Sequence, residues 1–170
     1  MSSPQLRFTK NDEWYTPKNA VIPITKHLKP NSKIWCPFDT DQSEFVKVLS
    51  SLGHTVYNTH ICNGEDFFEI KVPECDYIIS NPPYSIKTKV LVRLFSLGIP
   101  FAMLINFHGI FDSRERFELF GNVPFEMMVL YPQVSYYNPV LKNTEQPPFQ
   151  SAYICSGILD QQIMFESLFR

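Results

Sequence analysis

The chain predicts an α/β fold, a mostly parallel sheet with helices on both faces. Three observations carry this. Short, nearly continuous apolar runs recur at 33–38, 77–79 and 101–105. They are too short for helices and read as strands buried on both faces. Between runs lie segments with apolar residues three and four apart, such as Val90, Leu91, Leu94 and Phe95, the spacing of a helix with one buried side. The two kinds of segment alternate through most of the chain, as parallel strands with crossover helices require.

Residues 1–10 are polar and expected to be loosely held. In Asn11-Asp12-Glu13-Trp14-Tyr15-Thr16-Pro17, Thr16 suits a helix N-cap and Pro17 the first helical position, where a missing N–H is no loss. Read alone, Trp14 and Tyr15 are a hydrophobic staple. The helix runs to about His27, shortened or kinked by Pro23. Lys33 to Phe38 is a strand stopped by Pro37. Thr40 or Asp41 caps a helix from about Gln42 to Leu52, and Gly53 ends it. His54 to Ile61 alternates as a second strand, followed by a turn, an acid and two rings in Asn63-Gly64-Glu65-Asp66-Phe67-Phe68.

The third strand holds the apolar run Tyr77-Ile78-Ile79, and a helix follows from Lys87 to Leu97, closed by Gly98. Phe101 to Ile105 is a strand, Ser113 to Phe120 a helix, and Phe125 to Tyr131 a strand. Residues 132–149 hold four prolines, adjacent Tyr136 and Tyr137, and no clear periodicity, so a long loop is expected over about 131–149. Ser151 to Ile158 is a final strand, and 162–169 a short terminal helix or tail. No repeat or linker interrupts 1–170, which reads as a single domain.

Composition narrows the function. With 44% hydrophobic and 19% charged residues the chain is globular rather than disordered. A net charge of −2 creates no general attraction for nucleic acid or anionic membrane, so any nucleic-acid contact needs a local basic face. The N-terminus lacks a basic-then-apolar leader and no apolar run reaches spanning length, which sets the expectation of a cytoplasmic protein with no membrane partner. Cys36, Cys62, Cys75 and Cys155 are scattered, without a C-x-x-C pair or clustered histidines. Buried thiols and no metal are expected.

The sharpest feature is Asn81-Pro82-Pro83-Tyr84, directly after the apolar Tyr77-Ile78-Ile79. Two prolines remove two N–H donors and end any regular element, and the residue before a proline is driven extended. A stiff turn thus presents an amide, a bare carbonyl and an aromatic ring together. That set suits a planar amino-bearing ring such as adenine, with the Asn81 oxygen and the Pro82 carbonyl accepting the amino hydrogens and Tyr84 stacking. In open α/β sheets ligands bind beyond the carboxyl ends of the strands. Asp39, His60, Asn81 and Asn106 all fall at such ends.

From about residue 11 to 158 the chain resembles the class I, Rossmann-like methyltransferases that use S-adenosylmethionine (SAM). More narrowly, it resembles the small adenine-N6 DNA methyltransferases of phages and prophages. Asn81-Pro82-Pro83-Tyr84 matches that family's (D/N/S)PPY catalytic motif. Glu13-Trp14-Tyr15-Thr16-Pro17 matches the segment that helps hold the methionine part of SAM, and Asp66-Phe67-Phe68 the acid-plus-aromatic contact to its adenine. The resemblance implies methyl transfer from SAM to adenine N6 in DNA, the base flipped from a double strand, inside a bacterial host. Two departures stand out. The loop after the first strand, Cys36-Pro37-Phe38-Asp39, has no glycine, and Asp39 is the expected partner of the cofactor's amino group. The second strand ends in Asn58, Thr59 and His60 rather than an acid, leaving His60 or Asn58 for the ribose.

DNA contacts are expected from Lys87, Lys89 and Arg93 on one helix and Arg114 and Arg116 on another, with Tyr136, Tyr137, Asn138 and Lys142 of the long loop as the candidate recognition element. Without a separate recognition domain, specificity is expected to be short, relaxed, or supplied by a homodimer or a partner. Other readings stay open: methylation of RNA adenine or protein glutamine, or a catalytically weak methyltransferase-fold module that binds DNA or protein.

Overall fold

The computed structural model describes residues 15–138 and 142–169; Trp14, counted above among cofactor contacts, lies outside them. The order is α1 (Lys18–Thr25), β1 (Lys33–Cys36), α2 (Glu44–Ser51), β2 (Thr55–Asn58), β3 (Tyr77–Ser80), α3 (Lys87–Leu97), β4 (Phe101–Asn106), α4 (Arg114–Asn122), β5 (Glu126–Tyr131), β6 (Tyr136–Asn138), β7 (Asn143–Glu145), β8 (Ser151–Ser156) and β9 (Ile163–Ser167). One-turn 3₁₀ helices cover Ile61–Asn63 and Tyr84–Ile86.

A seven-stranded sheet runs β2-β1-β3-β4-β8-β5-β9. β8 pairs antiparallel with both β4 and β5, and every other pairing is parallel, so β8 alone is reversed. Each central strand alternates between two cores. Ile34, Cys36, Ile79, Leu104 and Tyr153 face one side, with Ala20, Val21 and Ile24 of α1 and Phe45, Val48 and Leu49 of α2. Trp35, Ile78, Met103, Ile105 and Ile154 face the other, with Val90, Leu91 and Leu94 of α3 and Phe120 of α4. Helices on both faces explain why these strands read as unbroken apolar runs. The Tyr153 hydroxyl donates to the Ala20 carbonyl at 2.7 Å, fixing α1 to the middle of the sheet.

From β1 the chain order departs both ways: β2 lies on one side and β3 on the other. Their carboxyl ends therefore flank a crevice at the reversal of strand order. Cys36 pairs with Asn58, and Trp35 with both Tyr57 and Ile78, which brings the chain after each strand to one edge.

Three sequence expectations are corrected. α1 begins at Lys18 after Pro17, and Thr16 does not cap it; its hydroxyl is engaged elsewhere. Within 132–149, β6 and β7 pair as a hairpin, and Tyr15 and Tyr137 exchange backbone hydrogen bonds at 3.0 and 3.1 Å. Three-residue strands are too short to show a period, so composition alone hides them. Residues 163–167 form a strand rather than a helix or tail, because the open edge of β5 accepts them in parallel register. Outer and inner residues alternate along β9, and Glu166 forms an ion pair with Lys26.

Candidate active site

One cleft of about 970 Å³ lies over the crevice, large enough for a nucleoside-sized cofactor with room beside it. Tyr15, Thr16 and Pro17 line it, as do Pro37, Phe38 and Asp39. His60, Asp66, Phe67 and Phe68 line its far side, and Asn81, Pro82, Pro83 and Tyr84 close it. Most of the residues expected to touch cofactor or target base therefore meet in a single cavity; Asn58, the alternative to His60 for the ribose, does not line it, and its Nδ2 donates to Asp39 O at 3.4 Å.

The Asn81 amide Nδ2 donates to Thr16 Oγ1 at 3.0 Å. Its Oδ1 is buried without a partner among the described residues. Buried acceptors seldom stay unpaired, because desolvation without a bond costs about 1–3 kcal/mol. Pro82 lines the same cleft, and the Pro83 carbonyl accepts from Ile86 N at 3.2 Å as the motif enters its 3₁₀ turn. Tyr84 packs edge-on to Phe149, ring centroids 5.0 Å apart, and its hydroxyl lies against that of Tyr136.

The glycine-free loop after β1 works because it needs no left-handed residue. Among the described residues, positive φ outside glycine occurs only at Asn31 and Lys142, neither of them within Pro37 to Ser43. The loop is pinned to the end of β2: Asp39 N donates to Thr59 O at 3.2 Å and Thr59 N to Cys36 O at 3.1 Å. Trp35 Nε1 reaches Thr59 Oγ1 at 3.0 Å, so the Thr59 side chain is spent on the core. Asp39 is buried, and its carboxylate accepts from Ser80, the residue before Asn81. Burial raises its pKa to about 6; hydrogen bonds from Ser80 and Ser43 hold it back from rising further.

Past β2 the structure supplies what the sequence left out. His60 Nδ1 accepts from Cys62 N at 3.2 Å, capping the 3₁₀ turn, which closes through left-handed Gly64 at φ 78°. The turn brings Glu65 to the cleft, where its Oε2 accepts from His60 N at 3.2 Å. An acid absent from the strand end thus lines the cleft five residues beyond His60. The signal was legible as Asn-Gly-Glu, a turn with an acid directly after it. Asp66 Oδ1 accepts from Phe68 N at 2.8 Å and shapes the next turn. Phe67 is buried, packed on Trp35 and Phe38 and covered by the Arg93 guanidinium 5.3 Å above its ring.

The residues expected at the nucleic acid are less uniform. Lys87 Nζ donates to the carbonyls of Asn106 and His108 at 3.4 and 3.2 Å, and burial, then nearby Arg116, lowers its pKa. Arg116 binds Ile110 O, Gly109 O and Thr88 Oγ1 at 2.7–2.8 Å. Arg93 is held against Phe67 and Ile70 O. These cations fasten loops instead of facing solvent as phosphate clamps. Lys89 is exposed, and Arg114 is exposed but paired with Glu118 at 2.7 Å. Tyr136 is fully buried with its hydroxyl on Ser151 Oγ at 2.7 Å, a core residue and not a groove contact. Tyr137 is 45% exposed at the cleft mouth, its ring centroid 6.3 Å from that of Tyr15. Among the described residues no helix is long and apolar enough to cross a membrane, and no group of His, Cys, Asp or Glu is placed to hold a metal ion.

Comparison with solved structures places this architecture among methyltransferases. A dimethyladenosine transferase from Plasmodium falciparum superposes with a TM-score of 0.51 at 13% identity, over 84% of this chain and 62% of that one. The methyltransferase subunit of a type I restriction-modification system from Streptococcus thermophilus gives 0.53 at 12%, over 90% and 46%. The 23S rRNA methyltransferase ErmE gives 0.51 at 13%, over 88% and 71%. The chain thus spans about three-fifths and about half the length of the first two. No protein-family model and no curated sequence matches it. The likeness is one of fold: this chain has the Rossmann-like fold of those methyltransferases.

Proposed function

We propose that this protein transfers a methyl group from SAM to the exocyclic N6 of adenine in DNA. The observation that carries the reading is the Asn81 side chain, whose buried Oδ1 has no partner among the described residues, with Pro82 next to it, both residues lining a cleft that also holds Asp39 and Glu65. An amine with two hydrogens matches the Asn81 oxygen and the Pro82 carbonyl as a pair of acceptors.

The donor set fits SAM. Asp39, buried and titrating near 6, suits the amino group of the methionine moiety, with Thr16 beside it. Glu65 suits the ribose hydroxyls, and Asp66 with Phe68 the adenine. Bound there, SAM supplies an electrophilic methyl group on a sulfonium.

The remaining work belongs to the protein. N6 is hidden inside a duplex, so the base must leave the stack to reach the cleft. Its lone pair is delocalised into the ring and nucleophilicity is low. Hydrogen bonds from both amino hydrogens to Asn81 Oδ1 and Pro82 O favour a pyramidal nitrogen with a localised lone pair. Tyr84, braced by Phe149 and Tyr136, offers a firm wall for the ring. As the nitrogen becomes cationic its proton grows acidic and leaves without a strong base. Catalysis is mainly positioning.

The test is a radiolabelled methyl-transfer assay on duplex DNA, single-stranded DNA, RNA and protein, with N6-methyladenine identified in the product. Label on DNA adenine is the expected result. Label confined to RNA or protein would replace the substrate, and no transfer to any of them would overturn the reading.

A further inference from the structure

Thr16 stands where a helix N-cap is expected, one residue before Pro17, yet its side chain does not serve α1. It accepts a hydrogen bond from Asn81, 65 positions along the chain. That diversion has a chemical consequence. A side-chain amide has a donor end and an acceptor end, and a half-turn about its terminal bond exchanges them. The Thr16 hydroxyl can accept from Nδ2 or donate to Oδ1, so the contact fixes where the Asn81 side chain sits. In the arrangement seen, Nδ2 is the end held on Thr16, and Oδ1, the end able to accept an amine hydrogen, has no partner among the described residues.

Thr16 is itself held. Tyr15 beside it exchanges both backbone hydrogen bonds with Tyr137, and their rings are in contact. Pro17 on its other side restricts Thr16 to extended backbone. The N-terminal strap is therefore tied to the β6–β7 hairpin at one residue and to the catalytic motif at the next.

We infer that Thr16 is a positioning residue that sets the Asn81 amide oxygen toward the target amine, and that the Tyr15–Tyr137 bridge keeps it in place. This rests on the reading of Asn81 as an amine acceptor. It is separate from any contact Thr16 makes with cofactor, because it acts through the amide nitrogen of Asn81.

The experiment compares Thr16→Val, which keeps the shape and removes the hydroxyl, with Thr16→Ser, which keeps the hydroxyl. Thr16→Val should lower kcat roughly 10- to 100-fold, the usual range for loss of a buried polar contact at a reacting centre. The Kd for S-adenosylhomocysteine should stay within about two-fold. Thr16→Ser should return kcat to within about three-fold of the parent, on the same scale. A second readout needs no turnover: the side-chain NH₂ signals of ¹⁵N-labelled protein, with those of Asn81 assigned by their absence in Asn81→Ala. Their hydrogen exchange should speed up in Thr16→Val and remain slow in Thr16→Ser. Wild-type kcat with unchanged exchange in Thr16→Val would overturn the inference, as would a loss wholly due to cofactor affinity. Asn81→Ala, assayed in parallel, separates the two failures. If it turns over normally, the proposed reading falls; if it is dead while Thr16→Val is normal, only the positioning role falls.

Discussion

The two walls of the cleft are built on opposite terms. On the β3 side, the proposed acceptor for the substrate is unengaged: Asn81 Oδ1 has no partner among the described residues, and Thr16 holds the other end of the amide. On the β1–β2 side, the polar groups are engaged with one another. Asp39 is bonded to Ser80 with a pKa raised to about 6, Thr59 is bonded to Trp35, and Glu65 accepts from His60 N. One wall leaves an amide oxygen unengaged. The other holds a buried carboxylate that its surroundings make harder to ionise than an exposed one. The two are joined through consecutive residues, Ser80 and Asn81, so cofactor and substrate sides share one strand end.

Breaking the β3 wall should have the largest effect. Asn81→Ala removes an acceptor needed only as the amine reacts, and kcat should fall about 10²- to 10³-fold, as when a preorganised hydrogen-bonding group is deleted. Affinity for S-adenosylhomocysteine by calorimetry should be unchanged; a parallel loss of affinity would erase the distinction between the walls.

Asp39→Asn tests the other wall. Cofactor affinity should drop about 10- to 100-fold, as expected for a buried charge pair that loses one partner. In the parent protein, affinity should weaken as pH falls through about 6, where the carboxylate protonates. Stability has the opposite sign. The folded pKa of about 6 exceeds the ordinary 3.8, so the contribution is complete below about 3.8 and is lost as pH rises through about 6. The difference amounts to about 3 kcal/mol, at about 1.36 kcal/mol per pKa unit. The unligated Asp39→Asn variant should therefore melt above the parent at pH 7 and lose that advantage near pH 4. A variant less stable at both pH values would show that Asp39 is paired, not strained, in the empty site.

Glu65→Gln should weaken cofactor binding by about 3- to 10-fold with kcat little changed, since a charged acceptor is exchanged for a neutral one. An equal loss in His60→Gln would move the ribose contact to the strand end instead. The smallest effect belongs to Tyr136→Phe, which removes the bond to Ser151 and the brace behind Tyr84. A loss of about 1 kcal/mol in denaturant unfolding is expected, with activity reduced less than in Asn81→Ala. A larger loss of nucleic-acid affinity than of stability would return Tyr136 to the recognition surface.

The motif and most of the α/β alternation were readable because they depend on neighbours in sequence. Helix Lys87–Leu97, with its Gly98 stop at φ 66°, falls where spacing and glycine placed it. The long loop was misread for the converse reason. Tyr136 and Tyr137 are adjacent and look alike, yet one is fully buried on Ser151 and the other forms the cleft mouth with Tyr15. Their difference is set by a short hairpin and by its bridge to Tyr15, at the opposite end of the chain. The basic residues were misread similarly: Lys87, Arg93 and Arg116 look like a solvent face on a helical wheel but donate inward to loop carbonyls.

By itself the sequence determined the layered fold, through the period of its apolar residues, and the stiff Asn81–Tyr84 turn, through the covalent limits of two prolines. Tertiary structure alone decided which polar groups face the cleft and in what state. Thr16 bonds Asn81 instead of capping its helix, Glu65 lines the cleft beyond the strand end, and Asp39 is buried with its pKa raised to about 6. Hydrogen bonding and burial depend on what lies within a few ångströms in space, and at this crevice those neighbours come from chain segments far apart in sequence.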